Sequence, residues 1–154
     1  MDNYFSNLNK QIKDYFNILS EEIPEFLIYY INTPEMQRLD GISALVGNDY
    51  TKLFNVKFFY SVLSHSIGVA LIIWNFTKNK KQTLAGLFHD ISKPVFSHCI
   101  DYLNEDYMKQ ESTESLTETI IRESKTITDL LKKDNIEIKD VIDYKKYPIA
   151  DNGT

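Results

Sequence analysis

The sequence has few of the residues that break helices or cross-link a chain. Its 154 residues include five glycines, four prolines and one cysteine, Cys99. A single cysteine cannot form a disulfide within the chain or a zinc site made of thiolates, and it fits a reducing compartment. The longest apolar run, residues 67–74, is too short to span a bilayer, and the N-terminus lacks the apolar core of a secretory signal. The sequence therefore predicts a soluble, cytoplasmic protein with no membrane partner.

The sequence also lacks an excess of basic charge. Its formal net charge is −5, which disfavours a nucleic-acid backbone as the partner because phosphate binding needs a basic face. A nucleotide is still compatible, since a metal ion and one or two basic side chains can neutralise its phosphates. With 43% hydrophobic and 25% charged residues, the composition is globular, and the length suits one domain, which we place at residues 1–154.

No stretch shows sustained alternation of apolar and polar residues, so the sequence predicts an all-α domain. Side chains suited to capping mark several helix starts. The predicted helices are 6–19, a segment capped by Ser20, one that starts at Thr33-Pro34, then 61–77, 82–90, 94–103, 116–122, one from Ser124 to near Asp134, and 139–144, with a loop at 47–56.

Two of the three histidines stand in positions that bring them together. His65 lies near the start of one predicted helix, and His89, followed by Asp90, lies near the end of the next. A polar turn at 78–81 separates these helices, so an antiparallel pair would return His89 to the level of His65. Two imidazoles and a carboxylate suit Mn, Fe, Ni or Zn. The alternative is that His89 only interacts with a helix dipole and His65 is a hydrogen-bonded polar group.

Three segments together carry a family resemblance. They read TPEMQRL at 33–39, LSHSIGVA at 63–70 and LAGLFHDISKPVFSH at 84–98. In order and spacing they resemble the HD-domain phosphohydrolases, most closely the branch of the deoxynucleoside triphosphate triphosphohydrolases, and the resemblance is dense over residues 33–103. It implies an HD-domain helical bundle that hydrolyses a phosphoester or phosphoanhydride, of a nucleotide in that branch. It also implies one divalent ion (Mn, Fe, Ni, Zn or Mg) held by His65, His89 and Asp90.

The resemblance implies roles for five further residues. His98 and Asp101 match positions expected to act in catalysis, and Gln37 and Arg38 match positions expected to contact the substrate. Lys93 stands where the triphosphohydrolase branch usually has a histidine, but a lysine there is frequent in other HD enzymes and is expected to neutralise a phosphate in catalysis. Each has a plainer alternative: a solvated Lys93 beside a proline, a buried His98 bonded to a helix neighbour, or an Arg38 that braces the fold through ion pairs. Lys93 would also place positive charge where a second cation would sit, so we expect one metal rather than two.

Several positions depart from the triphosphohydrolase pattern. Val62 stands where that branch has a phosphate-binding arginine, Ala44 where it has a glutamine, and Thr113-Glu114 where it has a His-Glu pair. These differences argue against a typical triphosphohydrolase. They leave a metal-dependent phosphohydrolase with a small-molecule phosphate substrate. The alternative is a catalytically inactive HD module that binds a nucleotide or a partner protein.

The family's last metal ligand is an aspartate followed by arginine, and this sequence has no Asp-Arg pair. We therefore expect the chain to be the N-terminal part of such a protein, with 145–154 as a loop that leads to a missing segment. An incomplete bundle would expose an apolar face, so self-association or a C-terminal partner segment is expected to cover it. The alternative is a complete domain in which Asp143 is the fourth ligand.

Overall fold

The computed structural model describes residues 4–45, 59–95 and 116–147, and the regular structure in these ranges is helical. An isolated antiparallel bridge pairs Ser43 with Ser61. The all-α prediction is confirmed. Among the described helices, none is long and apolar enough to cross a membrane. The α-helices are α1 (Lys10–Leu19), α2 (Glu25–Ile31), α3 (Pro34–Gln37), α4 (Val62–Thr77), α5 (Lys80–Phe88), α6 (Thr117–Glu123) and α7 (Lys125–Lys133), with short 3-10 turns at Tyr4–Ser6, Arg38–Gly41, Ile138–Asp140 and Tyr144–Lys146.

Helices α4 and α5 form the hairpin predicted from the polar turn. Ser61 caps α4 by accepting a hydrogen bond from the backbone N–H of Ser64 at 3.0 Å. Lys78 ends α4 in the left-handed conformation, with φ of 51°, and Asn79 caps α5 by accepting from two backbone N–H groups of its first turn. Side chains that satisfy the first N–H groups fix where a helix begins. The chain therefore reverses within two residues, and the end of α5 returns to the start of α4.

A glycine lets the two helices of this hairpin pack closely. A Cβ atom built on Gly86 would overlap Cδ1 of Ile73 and lie 3.4 Å from Cγ1 of Val69, both on α4. Because glycine has no Cβ, the backbone of α5 can approach α4 at this level, three residues before His89. The close approach keeps the two histidines within reach of each other.

The other helices cover this hairpin and share one apolar core. Fully buried side chains come from the hairpin and from the helices around it, including Phe16 of α1, Leu27 of α2, Leu71 of α4, Ile121 of α6 and Leu131 of α7. Burial of a large apolar side chain contributes about 1.5–3 kcal/mol. The core therefore holds the hairpin in a fixed frame, and the candidate site lies at the end of that frame.

Three local predictions were wrong. The opening helix begins at Lys10 and not at residue 6, because the side chain of Asn9 caps it there. Ser20 does not cap the second helix: its backbone N–H bonds to Phe16 at the end of α1, and its hydroxyl donates to the carbonyl of Glu22 at 2.7 Å. Helix α2 starts later, directly after Pro24. Proline lacks an N–H and has a fixed φ, so it suits the start of a helix better than its interior.

The predicted helix at 139–144 is instead two separate 3-10 turns. Between them Asp143 is extended, and its carboxylate accepts from the backbone N–H of Lys145 at 2.9 Å. This side chain bonds the local backbone and so competes with a continuous helix. The predicted loop at 47–56 and almost all of the predicted helix at 94–103 lie outside the described residues.

Candidate metal centre

The structure brings His65, His89 and Asp90 together. His65 lies in the first turn of α4 and His89 directly follows α5, and their ring centroids are 5.3 Å apart. Nε2 of His89 lies 3.4 Å from Oδ2 of Asp90, and Nε2 of His65 lies 3.9 Å from the same oxygen. The three ligand atoms lie within 4.8 Å of one another. A cation about 2.0–2.2 Å from each ligand atom places such atoms roughly 3–4 Å apart, so the spacing fits one divalent ion.

A hydrogen bond to the backbone orients the ring of His89. Its Nδ1 lies 2.7 Å from the carbonyl oxygen of Gly86, so in the neutral ring Nδ1 donates and Nε2 keeps its lone pair. That lone pair faces Oδ2 of Asp90, which is also an acceptor. Two acceptors 3.4 Å apart repel unless a cation lies between them or a ring is protonated. The donor set therefore fits a divalent metal.

Asp90 divides its two carboxylate oxygens between different partners. Oδ1 lies 3.2 Å from Nζ of Lys93, while Oδ2 faces the two histidines. Burial alone would raise the pKa of Asp90, but His89, Lys93 and His65 together hold it below its ordinary value. The carboxylate is thus ionised and ready to act as a ligand. We name His65, His89, Asp90 and Lys93 the Asp90 cluster.

Lys93 is a buried residue rather than a solvated one. Its side chain is only 6% exposed, so the alternative of a solvated lysine beside a proline is wrong. A lysine is seldom buried to this extent unless it is paired. Its role in catalysis remains a prediction, but it places a positive charge beside the three candidate ligands.

Arg38 supports the turn that carries this cluster. Its guanidinium donates to the carbonyl oxygens of Ile91 at 2.8 Å and of Lys93 at 2.9 Å, and burial lowers its pKa. The nearby Gln37 donates from Nε2 to the carbonyl of Ile31 at 2.8 Å. Arg38 therefore braces the backbone after Asp90, through hydrogen bonds to carbonyl groups. Substrate contact by either residue remains a prediction.

Of three other predicted site residues, the structure describes Asp143 alone. His98 and Asp101 lie outside the described residues, and their catalytic roles stay predictions. Asp143 is described, and its carboxylate caps the 3-10 turn that follows it. In the described ranges, the group of ligand atoms within 4.8 Å consists of His65, His89 and Asp90 without Asp143.

Sequence reasoning missed a tyrosine beside the candidate ligands. The ring of Tyr144 lies edge-to-face against His89, with centroids 5.8 Å apart and an interplanar angle of 77°. No sequence signal could have singled it out, because the chain has ten tyrosines and Tyr144 is 55 positions from His89. The contact depends on how the chain after α7 folds back onto the end of α5.

Ion pairs tie this returning segment to α5. Asp140 accepts from Lys81 of α5 at 2.7 Å and lies 3.7 Å from Lys146, and the Tyr147 hydroxyl donates to the Asp140 carbonyl at 2.7 Å. The hydrogen bond from Lys81 is the main reason that the pKa of Asp140 is below its ordinary value. These contacts hold the turn at Ile138–Asp140 against the start of α5, and the next turn brings Tyr144 to His89.

The fold and the site together define a class of protein. A histidine on one helix and a His-Asp pair after the next give this helical domain a group of three side chains that could hold a metal ion. Residues 62–150 match the family described as "HD domain". That match covers more than half of the chain, which therefore belongs to the HD domain family.

A bacterial protein of no stated function is similar to most of this chain. The chain is 30% identical over 112 residues to "Uncharacterized protein YdhJ" of Bacillus subtilis (strain 168). The matched region is 73% of this chain but only 33% of that protein, so the chain spans about a third of its relative's length. No solved structure matches the chain.

Proposed function

We propose that this chain is a metal-dependent phosphohydrolase that acts on a phosphoester or phosphoanhydride of a nucleotide. The resemblance to the triphosphohydrolase branch motivates the nucleotide, although the departures at Val62 and Ala44 argue against a typical deoxynucleoside triphosphate substrate. The observation that carries the proposal is the Asp90 cluster: three ligand atoms converge and the buried Lys93 lies beside them.

Hydrolysis of a phosphate ester combines two bond changes with a proton transfer. A water oxygen forms a bond to phosphorus, the bond from phosphorus to the leaving oxygen breaks, and the leaving oxygen takes up a proton. A bound divalent cation supplies Lewis acidity and lowers the pKa of a water molecule. His65, His89 and Asp90 would hold it, and Lys93 would balance negative charge on the phosphate. His98 and Asp101 remain candidates for proton transfer.

The first experiment measures metal content and hydrolysis on the same preparation. Elemental analysis of the purified chain should find one equivalent of divalent metal, and a screen of p-nitrophenyl phosphate and nucleoside mono-, di- and triphosphates should find a substrate. Lys93→Met keeps the length of the side chain and removes its charge. We expect it to retain metal and to lower kcat by roughly 100-fold, the effect of removing one group that stabilises transition-state charge.

A control is available in a partly buried ion pair elsewhere in the domain. Lys80 forms a 2.7 Å ion pair with Asp134 away from the cluster, so Lys80→Met should leave both metal content and kcat close to wild type. A protein without metal under all conditions would contradict the proposal. A protein that binds metal and nucleotide but never hydrolyses it would instead support the inactive binding module.

A further inference from the structure

A cavity opens directly beside the candidate metal ligands. Its volume is about 200 Å³, and His89 forms part of its wall. The other lining residues come from the start of α6 and from the segment that ends the described chain: Thr117, Ile142, Asp143, Tyr144 and Lys145. A group attached to a phosphate at the candidate metal centre would therefore have a place to bind.

The wall of this cavity combines apolar and polar groups. Ile142 and the ring of Tyr144 supply the apolar part, while Thr117, Asp143 and Lys145 carry a hydroxyl, a carboxylate and an ammonium group. A sugar ring has C–H groups and hydroxyls side by side, so it can use both kinds of wall. One positive and one negative side chain give the cavity no strong preference for a second anionic group.

The size of the cavity limits what it can hold. Pockets for drug-sized ligands usually measure about 300–1,000 Å³, so a cavity of about 200 Å³ suits one ring rather than a whole nucleotide. A larger cavity of about 490 Å³ is lined by residues that include Glu35, Arg38 and Lys93, but by none of the three candidate ligands. Of these two cavities, the smaller adjoins the side chain of a candidate ligand.

The smaller cavity is also held in shape by contacts already described. The carboxylate of Asp143 fixes the turn that presents Tyr144, and the ring of Tyr144 rests against His89. The ion pair between Asp140 and Lys81 anchors the segment to α5. A binding surface that is ordered before the ligand arrives loses less conformational entropy on binding.

We propose that this cavity, which we call the Tyr144 subsite, binds the sugar ring of a sugar phosphate or nucleotide. The inference rests on the proposed function, because it assumes that a phosphate is bound at the metal. Tyr144 is then a specificity residue that selects phosphates carrying a sugar. Two sources share this chemistry: a free sugar phosphate and the sugar of a nucleotide.

The test is a calorimetric titration of the Mn²⁺-loaded protein with ribose 5-phosphate, adenosine 5′-monophosphate and inorganic phosphate. We expect both sugar-bearing ligands to bind more tightly than inorganic phosphate. Tyr144→Ala should weaken their binding roughly 3- to 10-fold, the range for the loss of one aromatic contact, and leave inorganic phosphate unchanged. Tyr144→Leu keeps apolar volume and should show a smaller loss, which covers the case in which the alanine variant fails to fold.

Tyr29→Ala provides the matched control, because Tyr29 is a partly exposed tyrosine on α2 that lines a different cavity. It should change none of the three affinities. A tenfold weaker binding of the nucleotide than of ribose 5-phosphate would assign the subsite to free sugar phosphates, and equal or tighter binding would assign it to nucleotides.

The proposed function and the Tyr144 subsite would fail in different ways. If the loaded protein neither binds inorganic phosphate nor hydrolyses any ester, the proposed function fails. If it binds and hydrolyses phosphates but shows no preference for the sugar-bearing ligands, or if Tyr144→Ala keeps that preference, then the Tyr144 subsite alone is wrong.

Discussion

Asp134 and Asp90 are both partly buried carboxylates beside a lysine, but their remaining neighbours differ. Asp134 makes a structural contact, whereas Asp90 belongs to the candidate metal site. Asp134 accepts from the hydroxyl of Tyr30 on one oxygen and from Lys80 on the other, both at 2.7 Å. Each oxygen therefore has a donor. We name these three residues the Asp134 cluster, which joins the end of α7 to α2 and α5.

In the Asp90 cluster the two carboxylate oxygens have different kinds of neighbour. Oδ1 of Asp90 has Lys93 as its donor, but Oδ2 faces Nε2 of His89 and of His65. In the neutral ring of His89 the bond to Gly86 assigns the proton to Nδ1, so the nitrogen that faces the carboxylate is an acceptor. Both clusters lower the pKa of their aspartate. The direction of the pKa shift is therefore the same in both clusters. What distinguishes them is whether a donor or an acceptor faces each carboxylate oxygen.

The largest expected difference is in metal affinity. Asp90→Asn removes the charged ligand, so we expect stoichiometric metal to be lost, with affinity reduced by more than the roughly 10- to 100-fold typical of residues behind the ligands. Asp134→Asn is the matched change in the other cluster and should keep one equivalent of metal. Elemental analysis of both variants after dialysis checks the pair. Equal metal content in the two variants would remove the distinction between the clusters.

A smaller effect is expected at Arg38, which touches no candidate ligand. Arg38→Lys keeps a positive charge but cannot donate to the carbonyls of Ile91 and Lys93 together. The turn that carries Asp90 should become less well ordered, and metal affinity should fall about tenfold. Competition with a fluorescent chelator measures this. Unchanged metal affinity with weaker substrate binding would instead support direct contact with the substrate.

The Asp134 cluster should contribute to stability rather than to metal binding. Asp134→Ala leaves Tyr30 and Lys80 without this partner, and we expect a loss of about 1–2 kcal/mol in the free energy of unfolding. Asp129→Ala removes only an exposed pair with Lys132, in which the atoms are 3.9 Å apart, and should cost less than about 0.5 kcal/mol. Urea unfolding at pH 7 compares the two variants.

The loss of unfolding free energy in Asp134→Ala should depend on pH. Burial opposes ionisation of Asp134, but Lys80 and Tyr30 outweigh it and hold the folded pKa below the ordinary value of 3.8. A lowered pKa means that the stabilisation is fully present above about pH 4 and is lost as the pH falls through the folded pKa. The difference between wild type and Asp134→Ala should thus stay constant from pH 7 to 5 and shrink below pH 4. A difference that grows on acidification would contradict this assignment.

A modest effect on stability is expected at the contact between α4 and α5. Gly86→Ala would overlap Cδ1 of Ile73, the flexible end of a side chain, at a repacking cost of about 1–3 kcal/mol. The gain in helix propensity offsets about 1 kcal/mol of that cost, so we expect a net loss near 1 kcal/mol. Ile73→Val removes Cδ1 and should recover part of the loss in the double variant. Additive effects of the two changes, measured by thermal unfolding, would mean that the overlap is absorbed elsewhere.

The ligand hairpin was predictable from sequence because its signals are local. Ser61 marks the first helix start, and the polar turn at 78–81 indicates the reversal, although α5 begins at Lys80 rather than at the predicted residue 82 because Asn79 caps it. The number of residues between His65 and His89 sets where the helices meet. The Ser20 cap and the helix at 139–144 were wrong because competing local hydrogen bonds decide those positions. The contact between Tyr144 and His89 could not be predicted, since it depends on the packing of distant segments. The Arg38 interaction was anticipated only as an alternative, as ion pairs rather than bonds to backbone carbonyls.

The most direct test of the account is anomalous diffraction from crystals grown with Mn²⁺ or Zn²⁺. The account predicts one anomalous peak per chain, about 2.0–2.3 Å from Nε2 of His65, Nε2 of His89 and an oxygen of Asp90. A chain without a peak at these atoms, or with its metal on other residues, would contradict the central claim. Two peaks about 3.5–4 Å apart would contradict the single-metal site and the role of Lys93 in excluding a second cation.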